Sequence, residues 1–148
     1  MIDPSPIRVT AAVIWRNGRL LLGQRPPSGV EPGRWEFPGG KVQAGETAEA
    51  ALARELEEEL GIAARVGPLL GETILAAEVP GRPAIALAFY AAEITRGEPA
   101  PRHHQAIRWV QPAELLTLDL VPGDRPFARR VAAQPGGPPI TPAPDTRG

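Results

Sequence analysis

Three glutamates, Glu55, Glu58 and Glu59, fall within the short acidic run Arg54-Glu55-Leu56-Glu57-Glu58-Glu59-Leu60. On a helix, with Glu55 set at zero and about 100° per residue, Glu58 falls near −60° and Glu59 near +40°. The three carboxylates then share one face roughly 100° wide, and Glu57 points away from it. Like charges at i,i+3 and i,i+4 repel, and the helix macrodipole disfavours anions in the last turns. As structure alone the arrangement is wrong on both counts. A divalent cation reverses both penalties, and an all-oxygen donor set selects Mg²⁺, Mn²⁺ or Ca²⁺ over zinc. The competing reading is a solvated acidic patch. Context favours the metal. Arg54 can orient Glu55, and the upstream Pro38-Gly39-Gly40-Lys41 and Gly45-Glu46 read as Gly-rich turns whose backbone can approach a metal or phosphate closely. Lys41, in that segment, is the single lysine of the chain.

The elements that must position these groups are legible from periodicity and punctuation. Thr47 to Leu60 predicts the one long helix, free of internal Gly and Pro, with Thr47 as its cap and Gly61 as its stop. Leu52, Leu56 and Leu60 form an apolar stripe beside the acidic face. Ile7 to Trp15 and Arg19 to Gln24 are strand-like, and Asn17-Gly18 between them suits a tight hairpin turn. Arg25 to Arg34 reads as a loop, and Trp35 to Phe37 as a short apolar piece. Strand-like runs follow at Arg65 to Ala77, Ala84 to Ile94 and Ile107 to Val110, with short helices at Pro112 to Leu116 and Pro126 to Ala133. Strands mixed with one long central helix and a C-terminal helix predict an α+β or α/β/α layered domain.

Composition bounds the rest. The chain has 148 residues and 15.7 kDa, room for one domain. Gly (16) and Pro (19) together reach roughly a quarter of the chain, near the level of low-complexity sequence. They concentrate in 134–148, read as a mobile Pro/Gly-rich tail behind a folded domain spanning 1–133. No cysteine is present, which excludes disulfides, thiolate metal sites and cysteine nucleophiles. The first residues lack an apolar signal region, and no stretch has the length of a membrane span, so a cytoplasmic location is expected. A net charge of −1, with no basic stripe interleaved with aromatics, argues against a polymeric nucleic acid partner.

Gly40, five residues, Glu46, seven residues, then Arg54-Glu55-Leu56-Glu57-Glu58-Glu59-Leu60-Gly61-Ile62 resembles a complete Nudix box. The similarity extends over roughly 7–132. Gly33-Arg34-Trp35-Glu36-Phe37-Pro38-Gly39-Gly40-Lys41 is similar to the MutT-like branch. His104 to Trp109 and Leu120 to Asp124 are similar to the CTP pyrophosphohydrolase-like members. The resemblance implies an α/β/α sandwich with a mixed sheet and, with Mg²⁺ or Mn²⁺, hydrolysis of a nucleoside triphosphate to the monophosphate and pyrophosphate. It implies that the Gly39 carbonyl, Glu55, Glu58 and Glu59 hold metal, and that Glu46 and Arg54 brace the loop and helix, Arg54 aligning Glu55. Arg25, Phe37, Lys41 and Asp124 fall at implied substrate-binding positions; Trp35 and Trp109 read as packing residues.

Two positions depart from the branch or carry its specificity. Many members have a glutamate, a metal ligand or base, where this chain has His103; Glu98 lies upstream as a substitute, and Glu59 and His103 are the candidate bases. Asp124 corresponds to an asparagine that reads the oxidised purine in enzymes acting on 8-oxo-dGTP. An ionised aspartate only accepts, which suits the amino group of cytosine. CTP, dCTP or a 5-substituted dCTP is therefore the expected substrate, with 8-oxo-dGTP the alternative and ADP-ribose or a dinucleoside polyphosphate a further one. The alternative reading of Asp124 is a helix N-cap before Pro126. A monomer or homodimer is expected, and a non-catalytic binding module is disfavoured because every acidic position of the box is filled.

Overall fold

The computed structural model describes residues 5–134. The tail expected over 134–148 therefore lies outside the described residues except for Gln134. Seven strands form one mixed sheet: β1 (Ile7–Arg16), β2 (Arg19–Gln24), β3 (Trp35–Glu36), β4 (Gly39–Lys41), β5 (Ala63–Leu75), β6 (Ile85–Arg96) and β7 (Ala106–Val110). Helix α1 (Ala48–Leu60) lies between β4 and β5, and α2 (Arg125–Ala132) closes the domain. The main path runs β3-β2-β1-β6-β5, with β4 paired to β1 and β7 to β2. β1 and β6 are parallel, from Ile7↔Ile85 to Ile14↔Ala92, and the other pairings are antiparallel. Asn17 (φ 51°) and Gly18 (φ 76°) make the expected β1–β2 turn.

The period of two along the central strands divides the core between two helical layers. Ala11, Val13, Leu20 and Leu22 face one side, with Phe37, Phe89 and the α2 residues Phe127, Ala128 and Val131. Ala12, Ile14 and Leu21 face the other, where Leu52, Leu56 and Leu60 of α1 pack with no exposed surface. This is the α/β/α layering expected from the sequence. α1 starts where expected: the Thr47 side chain accepts the Ala50 N–H at 3.1 Å. Gly61 ends it in the left-handed conformation at φ 71°.

Two local expectations change. Pro38-Gly39-Gly40-Lys41, read as a turn, contributes strand β4, with Val9↔Lys41, Thr10↔Gly40 and Ala11↔Gly39 in register. Backbone pairing to β1 overrides the turn tendency of the glycines, and Thr10 Oγ1 adds a bond to the Gly40 carbonyl at 3.1 Å. Pro112–Leu116 is a 3₁₀ turn closed by a Gln111–Glu114 capping box.

Candidate active site

β4 runs against the C-terminal half of α1, and this contact assembles the acidic face. A Cβ on Gly40 would fall inside the Glu55 carboxyl group, so only glycine lets that carboxylate lie on the strand. Glu59, only 8% exposed, accepts the Gly39 N–H at 3.2 Å. Arg54 ties the helix to the preceding loop. It reaches Glu46 through Nε at 2.7 Å and Nη2 at 2.9 Å, Glu55 at 3.0 Å, and the Lys41 carbonyl at 3.2 Å. The forked pair holds Glu46 down to about 2, with the Gln43 N–H as a second donor, and raises Arg54 further above its ordinary range.

Glu58 is exposed and lies 3.3 Å from Arg54, so it stands at the rim of this group. Among the described residues, no three His, Cys, Asp or Glu side chains converge as a metal cluster. The donor chemistry nevertheless fits a hard cation. Burial, with the Glu36 and Glu55 carboxylates adding to it, pushes Glu59 up to about 8 against the Gly39 N–H. A buried carboxylate repelled by its neighbours is stabilised by a divalent cation.

The end of α1 carries no basic residue, and the segment before β7 compensates. Its backbone N–H groups at Ala100 and Arg102 bond the Leu60 and Glu59 carbonyls at 3.1 and 3.0 Å. The Arg102 guanidinium packs over Gly61. His103, on this segment, is exposed, with its ring 5.4 Å from that of His104. Glu98, the other candidate near it, is paired with Arg16 at 2.8 Å. Of the two candidate bases, Glu59 is buried within the acidic group and His103 is exposed on the segment before β7.

A cleft of about 680 Å³ opens beside β4. Arg25, Glu36, Phe37, Gly39, Gly40, Lys41 and Asp124 line it. The four expected substrate-binding residues therefore share one cavity. Phe37 is also core, meeting Phe89 and Phe127 edge-on at 5.7 Å each. Trp35 packs against the same core, and Trp109 lies under Arg16.

Asp124 does not cap α2: no side-chain cap bond forms there. Its Oδ2 instead accepts the Phe37 N–H at 2.8 Å, and only 3% of the residue is exposed. Burial pushes Asp124 up to about 8, with Glu36 adding to the rise and the Phe37 N–H opposing it. A raised acid binds its proton more tightly in the folded state, so its contribution to stability falls as pH rises from about 4 to about 8. Asp124→Asn keeps an acceptor for Phe37 and removes this penalty. Its unfolding free energy should exceed that of the unmodified protein by a few kcal/mol at pH 9 and match it near pH 4. Denaturant titrations across this range check it; Glu59, raised likewise, leaves the variant a residual slope of the same sign.

Glu36 and His104 were missed as site residues. His104 Nε2 lies 2.9 Å from Glu36 Oε2, and Arg25 holds the other oxygen at 3.1 Å. The signals in the sequence were their places in the two segments that resemble the family, Gly33 to Lys41 and His104 to Trp109. The loop carrying Glu78, Val79 and Arg82 also lines the cleft.

A layered mixed sheet with a braced glutamate helix beside a nucleotide-sized cleft defines a class of diphosphate-cleaving hydrolases. The NUDIX domain family model matches residues 5–131. The chain is 42% identical over 121 residues to the Escherichia coli CTP pyrophosphohydrolase, covering 82% of this chain and 87% of that one. It is 38% identical over 132 residues to the Haemophilus influenzae 8-oxo-dGTP diphosphatase, covering 88% and 94%. Among solved structures, the E. coli ORF135 protein superposes with a TM-score of 0.69 at 40% identity, covering 84% of this chain and 87% of that one. The chain belongs to the Nudix family, in its MutT-like branch, and is a hydrolase of diphosphate linkages. Among the described residues, no helix is long and apolar enough to cross a membrane.

Proposed function

We propose that this hydrolase converts a nucleoside triphosphate to the monophosphate and pyrophosphate, with an oxidised purine nucleotide of the 8-oxo-dGTP type as its substrate. The observation that carries the base assignment is the buried Asp124. The cytosine reading was drawn from an ionised carboxylate accepting an amino group, whereas burial favours the neutral acid. A neutral carboxyl both donates and accepts. Guanine offers two acceptors on its major-groove edge, N7 and O6. Oxidation at C8 turns N7 into an N–H, so the edge becomes a donor beside an acceptor, which a neutral carboxyl matches. Relatives bearing both substrate names support the triphosphate class.

Glu55, Glu58, Glu59 and the Gly39 carbonyl would hold Mg²⁺ or Mn²⁺, which when bound neutralises polyphosphate charge and acidifies a coordinated water. Arg54 fixes Glu55, and Glu46 fixes Arg54. Lys41, exposed at the cleft wall, offers a cation to the phosphates. Glu59, buried in the acidic group on the Gly39 N–H, is the base we favour over the exposed His103.

Steady-state rates on 8-oxo-dGTP, CTP and 5-methyl-dCTP test the base assignment. A kcat/KM at least tenfold higher for 8-oxo-dGTP is expected; the reverse ratio returns the assignment to cytosine.

A further inference from the structure

His104 is a polar side chain with none of its surface exposed, seated against a strand that makes room for it. The seat is Gly23 of β2: a Cβ there would lie 2.6 Å from the imidazole ring. The segment carrying His104 is stapled to the end of β2 by two bonds, from Gln105 N–H to the Gln24 carbonyl (2.9 Å) and from Gln105 Nε2 to the Arg25 carbonyl (2.8 Å). Burying an imidazole here is costly, because its Nδ1 has no partner among the described residues. An apolar side chain would fill the same space without that cost. What the imidazole adds is a single bond, from Nε2 to Glu36 Oε2 at 2.9 Å.

The beneficiary of that bond is the cleft. Glu36 lines it, whereas His104 does not. Arg25 holds the second Glu36 oxygen and is itself fixed by its Nε bond to the Val30 carbonyl at 2.6 Å. Each carboxylate oxygen keeps a further acceptor site for a ligand N–H. Glu36 immediately precedes Phe37, whose N–H reaches Asp124, so the two acids line the cavity beside one another.

We infer that His104 is a positioning residue for nucleotide binding: by clamping Glu36 between itself and Arg25, it fixes the acceptor geometry of the base-binding end of the cleft. The inference rests on the reading of that end as the nucleobase site. It assigns His104 an effect on affinity and leaves the phosphorus chemistry to the glutamates of α1.

The test compares the unmodified enzyme with His104→Phe and His104→Gln by steady-state kinetics, on whichever of 8-oxo-dGTP and CTP the unmodified enzyme prefers. Phe fills the seat without a donor; Gln retains an N–H near the position of Nε2. His104→Phe should raise KM about tenfold with kcat within about threefold, as expected for loss of one bond to a carboxylate. His104→Gln should recover most of the KM. In a Glu36→Gln background, His104→Phe should add less than about twofold, because the pair acts as a unit. If His104→Phe fails to fold, His104→Asn, whose amide is too short to reach Glu36, replaces it with the same expected KM. An unchanged KM with only a lowered melting temperature overturns the inference, as does a full additional effect in the Glu36→Gln background. A preference for CTP overturns the substrate reading alone, since the His104 effect is scored as a ratio on the preferred nucleotide.

Discussion

Glu55→Gln, Glu58→Gln and Glu59→Gln should each lower kcat by roughly 10²–10³, the cost of removing one group that stabilises charge in the transition state. At Glu59 activity and stability should move in opposite directions. In the metal-free protein its carboxylate is buried, repelled by Glu36 and Glu55, and held up at about 8. Glutamine keeps an acceptor for the Gly39 N–H and carries no charge. Glu59→Gln should therefore melt no lower than the unmodified protein while losing activity. Glu58 provides the contrast. It is exposed and bonded only to Arg54, so its substitution should leave stability within about 0.5 kcal/mol while activity falls. Pyrophosphate release and thermal melts on the same samples check both. Near-normal turnover in folded Glu58→Gln and Glu59→Gln would sink the metal assignment.

Asp124→Ala should lower kcat/KM on 8-oxo-dGTP by roughly 10–100-fold, whereas Asp124→Asn should stay within about threefold. The alanine variant leaves the Phe37 N–H without its partner and removes the group that reads the base. Asparagine restores an acceptor for Phe37 and offers both a donor and an acceptor to the ligand, as the neutral acid does. The two variants also separate in pH. Binding in the unmodified enzyme should weaken as pH rises through about 8, where Asp124 loses its proton, and Asp124→Asn should remove that limb. The opposite outcome, in which Asp124→Asn abolishes turnover while CTP is the better substrate, would mean an ionised Asp124 reading cytosine.

The parts of this molecule that were legible in the sequence are those governed by local rules. The cap at Thr47, the stop at Gly61 and the Leu52-Leu56-Leu60 stripe follow from helical geometry, and the structure places each as expected. The acidic face and its Arg54 brace were legible because their partners lie within a few turns of one another. Contacts across the chain were not. Asp124 reads as a base contact, or alternatively a helix cap, and nothing in the sequence shows that Phe37, 87 positions away, supplies the N–H that takes its carboxylate. Glu36 and His104 are separated by 68 positions, and neither is unusual until the sheet brings β3 beside the segment before β7. The strand character of Gly39–Lys41 was hidden for the same reason: two glycines carry a turn signal that pairing with Val9, Thr10 and Ala11 overrides.

The proposed reaction is metal-dependent cleavage of a triphosphate at the Arg54-braced glutamates, with release of pyrophosphate. The most direct measurement incubates the chelator-treated protein with 8-oxo-dGTP, with and without added Mg²⁺, and quantifies nucleotide and phosphate products together. Equal amounts of 8-oxo-dGMP and pyrophosphate are expected with Mg²⁺, and at least a hundredfold less of both without it. Orthophosphate with the diphosphate as the products, or the same turnover in the absence of a divalent cation, would contradict it.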